Sequence, residues 1–234
     1  MRALVLALGL MTVSADASPR PPKTQAHRIS SSGTLGQADL VAIARLHAKG
    51  GRDQFSEDPT LAYVGREFTI ILPSSAIRTS YDLGTQTLTA STKTLDDGVD
   101  LADEETEKRT VRQNGFGAKA VVTERRGNHL GIWLPGGTYT RKPIAYTANL
   151  PGAEARVMSK ALRLRVSGKI TKAEGTYAEK NSAVYKKTFI SDATIGDPID
   201  LWVSRILLSV TFTKAEWIDS RTGIVISEAP ILTP

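Results

Sequence analysis

LWVSRILLSVTFTKAEWI, residues 201–218, has the two-residue period of a β-strand. Ile206, Leu208, Val210 and Phe212 share one face, and Arg205, Ser209, Thr211 and Thr213 share the other, with Leu207 among them. A single apolar face is what an antiparallel sheet lying over a core requires. Trp202 falls on the apolar side and is expected in the core. Trp217 falls on the polar side, where its indole is a candidate stacking platform for a sugar. Downstream, DSRTG at 219–223 is a turn sequence, and Ile224-Val225-Ile226 can return beside the long strand.

Other strand signals precede it. Glu67 to Leu72 alternates around Phe68 and Ile70 until Pro73 stops it, and Thr85 to Thr92 is rich in β-branched threonine. Ala118–Arg126 and His129–Leu134 flank Gly127-Asn128, a two-residue link that predicts a tight hairpin. Ala161–Lys172 points Leu162, Leu164 and Val166 one way and Arg163, Arg165 and Lys169 the other, with Gly168 at a predicted bulge. Ala183–Ile190 is a further strand.

Helical signals are fewer. Gly36–Lys49 places Leu40, Ile43 and Ala44 on one stripe, with Thr34 and Gln37 at capping-box spacing and Gly50-Gly51 as a stop. Short helices are expected at Ser56–Tyr63, capped by Ser56 with Pro59 in its first turn, and at Pro151–Lys160. Strands outnumber helices and rarely alternate with them, which disfavours a parallel sheet. The expected fold is mainly β, with a minor α+β component: an antiparallel sandwich or distorted barrel with two or three short helices. One domain over 37–234 is the simpler reading, with a possible subdivision near Asn149.

The start of the chain has an export pattern. Arg2 precedes the apolar run Ala3–Val13, and Ala15-Asp16-Ala17 is a small-x-small cleavage site, so a signal peptide is expected over 1–17. The run is too short for a transmembrane helix, which needs about 20 residues. Residues 18–36, with Pro19, Pro21, Pro22 and Ser30–Gly33, predict a flexible tether. The chain contains no cysteine, which excludes disulfides and a lipidated cysteine anchor. Its formal net charge is +6, and loss of Arg2 and Asp16 together leaves that value unchanged. A basic exported protein favours anionic envelope polymers, or another envelope protein, over nucleic acid.

Chemistry-bearing motifs are sparse. The three histidines, His27, His47 and His129, have no zinc-site spacing, so neither metal nor cofactor is predicted. No G-x-S-x-G elbow is present, and pairing His129 with Asp192 or Asp219 in a triad would rest on no motif. Asp96–Glu107 is acidic. It lacks the calcium-loop pattern and the aromatic wall of a glycosidase cleft, so it is expected as a solvated loop. From Arg156 to Lys187, nine basic residues face two acidic ones, Glu174 and Glu179. Arg163, Arg165 and Lys169 on one strand face, with Trp217, are the candidate binding residues.

The expected function is therefore a non-enzymatic binding or interaction module of the cell envelope, periplasmic or secreted. The rivals are a hydrolase of envelope glycan using acids from Asp96–Glu107, and a subunit of an exported assembly joined through a sheet edge or the 201–218 strand.

Overall fold

The computed structural model describes residues 28–49, 57–92, 98–113, 117, 119–133, 143–175, 178–194 and 197–229. The expected signal peptide and the first part of the tether lie outside these residues. Among them the chain is mainly β. The ten strands are β1 (Glu67–Ile71), β2 (Ile77–Asp82), β3 (Thr87–Thr92), β4 (Val99–Gln113), β5 (Lys119–Trp133), β6 (Ala145–Asn149), β7 (Leu162–Ile170), β8 (Val184–Ser191), β9 (Ile199–Asp219) and β10 (Val225–Ala229). The helices are α1 (Gln37–Lys49) and α2 (Gly152–Ala161), with a 3-10 turn at Pro59–Tyr63. No helix among the described residues is long and apolar enough to cross a membrane.

β9 is the spine. Its first half pairs with β5 and β8 along the same residues, so these occupy its two opposite edges. Its second half pairs with β7 and β10 in the same way. The large sheet runs β1-β7-β9-β5-β4, with β8 and β10 also on β9, and a smaller sheet runs β2-β3-β6. The expectation of antiparallel pairing holds for every named pair except β5–β9, which is parallel. The long connection through β6, α2, β7 and β8 supplies the crossover that a parallel pair demands.

One face of the large sheet is covered by α1 and the small sheet, giving a continuous apolar core. Leu40 and Ile43 of α1 are fully buried against it, each contributing about 2 kcal/mol. The α1 cap is not the Thr34/Gln37 pair. Asp39, three residues past the Gly36 cap position, accepts from Gly36 N at 2.9 Å and from Ser30 N at 2.9 Å. Leu35, at the end of the expected tether, is buried and bridges to Phe68.

A buried polar group locks α1 in place. His47 Nδ1 lies 3.0 Å from Asp58 Oδ2, and Asp58 Oδ1 accepts from Thr60 N at 2.9 Å, capping the 3-10 turn. The Thr60 hydroxyl accepts from Ala183 N at 3.2 Å, which joins the turn to the start of β8. Burial works to raise the Asp58 pKa, but hydrogen bonds from the Thr60 backbone, Ser182 and His47 outweigh it and hold it below the usual value.

Three local expectations are corrected. Gly127-Asn128 is not a hairpin turn: β5 runs straight through it, opposite Glu105 and Glu104 of β4. A Cβ on Gly127 would lie 2.3 Å from Glu104 O, so glycine here permits close strand approach rather than a turn. The acidic stretch from Asp100 to Glu107 is not a loop but lies within β4, while 93–97 lies outside the described residues. The two tryptophans exchange places: Trp202 is 53% exposed and Trp217 is 0% exposed. Trp202 does keep the face of Ile206, since β9 pairs in unbroken register over 199–209, but it is left exposed there. Trp217 turns inward because of a bulge. Ser167 pairs with Lys214 and Gly168 with Phe212, leaving Thr213 as an extra residue on β9. That insertion reverses the alternation, so Ala215 and Trp217 continue the core face begun by Ile206. The bulge predicted near Gly168 is thus present, with its extra residue on the partner strand.

Candidate functional site

The outer face of the large sheet, opposite α1, carries the charged side chains. In register across it lie Asp103 of β4, His129 of β5, Arg205 of β9 and Lys187 of β8. Glu105 and Glu107 continue the same face of β4. Asp100 joins them because of a second bulge. Asp100 pairs with Gly131 and Ala102 with Leu130, so Leu101 is extra. Without it, Asp100 and Asp103, three residues apart, would point to opposite faces.

His129 is the centre of this group. Its Nε2 is 2.5 Å from Glu105 Oε1 and 3.6 Å from Asp103 Oδ1, and its Nδ1 is 3.5 Å from Asp100 Oδ2. Arg205 holds Asp100 from behind, with Nε at 3.0 Å and Nη2 at 2.8 Å from the same oxygen. Partial burial disfavours the charged imidazole, yet the Glu105 hydrogen bond and the charges of Asp103 and Asp100 prevail and raise the His129 pKa. Glycines flank His129 on both sides along the same face, at 127 and 131. A Cβ at either would strike the β4 backbone, at Glu104 O (2.3 Å) or Val99 O (2.1 Å). These two glycines therefore let β4 close over β5 and bring its carboxylates to the imidazole.

The predicted basic residues lie on the same outer face, farther along the sheet, but they are largely matched by acids. Arg165 Nη2 is 2.9 Å from Glu216 and Lys169 Nζ is 3.4 Å from Glu67. Lys214 also reaches Glu216, at 2.7 Å, and Glu228, at 3.3 Å. The Glu216 pKa is lowered by these neighbours, Lys214 foremost. Arg163 donates to the Lys160 and Leu162 carbonyls at 2.8 and 2.7 Å. Trp217 does not join them as a stacking platform, because it is sealed in the core beside Tyr146. Between the two charged fields sits a small apolar island of Leu207, Tyr185 and Ala173, with Trp133 against it. A separate groove of about 410 Å³ beside α2 is lined by Tyr81, Leu88, Arg156 and Ser159. Arg156 is its single charged residue among the described ones, so it offers less chemistry than the outer face.

His129 and the acidic stretch are separate in the sequence; β4–β5 register unites them. The available signal was the i, i+2 spacing of Asp103, Glu105 and Glu107, a strand period written in charge. Comparison of the chain with known protein families, curated proteins and solved structures finds no match.

Proposed function

We propose that the chain is an exported, non-enzymatic binding module of the cell envelope that meets its partner through the outer sheet face around His129. The observation that carries this reading is the assembly of Asp100, Asp103, Glu105, His129 and Arg205 on three paired strands, held by two obligatory glycines and a bulge. Rigid strands fix such a constellation better than loops do. The signal-peptide pattern of residues 1–17 supports a periplasmic or secreted location. The basic residues at 163, 165 and 169 support an anionic-polymer contact less well, since Arg165 and Lys169 already pair with Glu216 and Glu67.

The rival readings have weaker support. A glycan hydrolase needs one carboxyl with a raised pKa in a walled cleft. Here the carboxylates sit on an open face beside His129 and Arg205. Assembly through β9 finds both of its edges already paired over 201–208, by β5 and β8, and over 215–218, by β7 and β10.

The test is affinity capture from envelope extract by the chain purified after export, with bound lipid, glycan and protein identified. A species retained by the wild type and lost with Glu105→Lys supports the reading. Retention unchanged by that substitution removes the face, and release of soluble fragments from envelope polymer makes the chain an enzyme.

A further inference from the structure

Asp103, Glu105 and His129 bring potential metal-ligating atoms close together on the outer face. One ligand atom from each lies within 4.8 Å of the other two. The closest spacings, 2.5 Å from His129 Nε2 to Glu105 and 3.6 Å to Asp103, bracket the roughly 3–3.5 Å between donors bound to one ion at about 2.1 Å. We infer that Asp103, Glu105 and His129 form a binding site for a divalent first-row metal ion. This inference deepens the reading of the outer face as a binding surface and rests on it.

The position of Asp100 supports it. A metal-binding imidazole is usually oriented by a carboxylate at its other nitrogen, which fixes the tautomer and leaves a lone pair for the ion. Asp100 lies on the Nδ1 side of His129, opposite the Nε2 that faces Glu105 and Asp103, and Arg205 fixes its position. The bulge at Leu101 is what places Asp100 there. By contrast, His47 already faces Asp58 in a buried contact, with side chains 5% and 0% exposed, and offers no path to an ion.

The donor set selects the metal. One imidazole nitrogen with two carboxylates suits zinc or manganese, whereas magnesium prefers oxygen ligands and retains its waters. Three protein ligands leave coordination positions for water or for an anionic group of the envelope partner. Binding requires a neutral imidazole, so the site fills more readily as pH rises.

The test is calorimetric titration of Zn²⁺ into the full exported chain, stripped of metal by a chelator, at about pH 8. We expect one ion per chain, with affinity reduced at least tenfold in His129→Ala and in the shape-preserving pair Asp103→Asn with Glu105→Gln. Asp100→Asn should cost about tenfold through loss of orientation, and Mg²⁺ should not compete. His27→Ala should change nothing. Absence of binding by the wild type, or binding that survives both His129→Ala and the carboxylate pair, overturns the site. Because no envelope material is present, this outcome is separable from the capture experiment. Metal binding without a retained partner would fault the envelope reading alone, and a retained partner without metal binding would fault the metal alone.

Discussion

His47 and His129 each sit against carboxylates, and they do opposite work. His47 of α1 and Asp58 are buried against each other, and Asp58 also accepts from Thr60 N and is hydrogen-bonded by Ser182. His129 stands on the outer face with its side chain 25% exposed, surrounded by Asp100, Asp103 and Glu105. Similar residue pairs become structural or available for binding according to which side of the sheet they occupy. Burial makes the first pair expensive to break, and exposure leaves the second free to exchange partners with solvent or an ion.

The largest test of that contrast is Asp58→Ala. It leaves His47 and the Thr60 N–H without their buried acceptor and should cost about 3–5 kcal/mol in urea unfolding. A loss below about 1 kcal/mol would mean the buried group does not lock α1. Next comes Gly131→Ala, whose Cβ would meet Val99 O at 2.1 Å and Asp100 Cα at 3.0 Å. Pushing β4 away should cost about 1–3 kcal/mol and also weaken Zn²⁺ binding, linking strand approach to the cluster. His129→Ala should change stability by less than about 1 kcal/mol while removing Zn²⁺ binding. Equal stability losses for His129→Ala and Asp58→Ala would erase the distinction between the two sites.

The pH dependence sharpens the same comparison with smaller effects. Asp58 is held below its ordinary pKa, and the Arg221 hydrogen bond lowers Asp219 to about 2. Their contributions are complete above the unfolded carboxylate value of about 3.9 and are lost as pH falls through the folded values. His129 is raised, so its contribution is complete below about 6.5 and is lost as pH rises through its folded value. Urea midpoints plotted against pH should therefore fall on the acid side and, more shallowly, on the alkaline side of neutrality. His129→Ala should remove only the alkaline limb; an alkaline limb unchanged in that variant would assign it to another group.

Periodicity made most of the fold legible. β1, β7 and the Ile206–Phe212 stretch of β9 alternate with one apolar face, and α1 has a clear stripe. What periodicity could not show is where alternation changes phase. The Thr213 bulge depends on Ser167 and Gly168 across the strand pair, so alternation read from the sequence alone points Trp217 outward. Gly127 illustrates the same limit: glycine serves a tight turn or a close backbone approach, and only the neighbouring strand decides. β4 was missed because an edge strand exposed along most of its length carries charge where the usual signal is apolar. The candidate site was hidden for a related reason. Asp103 and His129 are distant in sequence and meet only through β4–β5 register.

The most direct measurement is nitrogen-resolved NMR of the histidine imidazoles as Zn²⁺ is added. Nε2 of His129 should shift and saturate at one ion per chain while His47 stays unmoved behind Asp58. A His129 resonance indifferent to Zn²⁺, or equal movement of both histidines, would contradict the account.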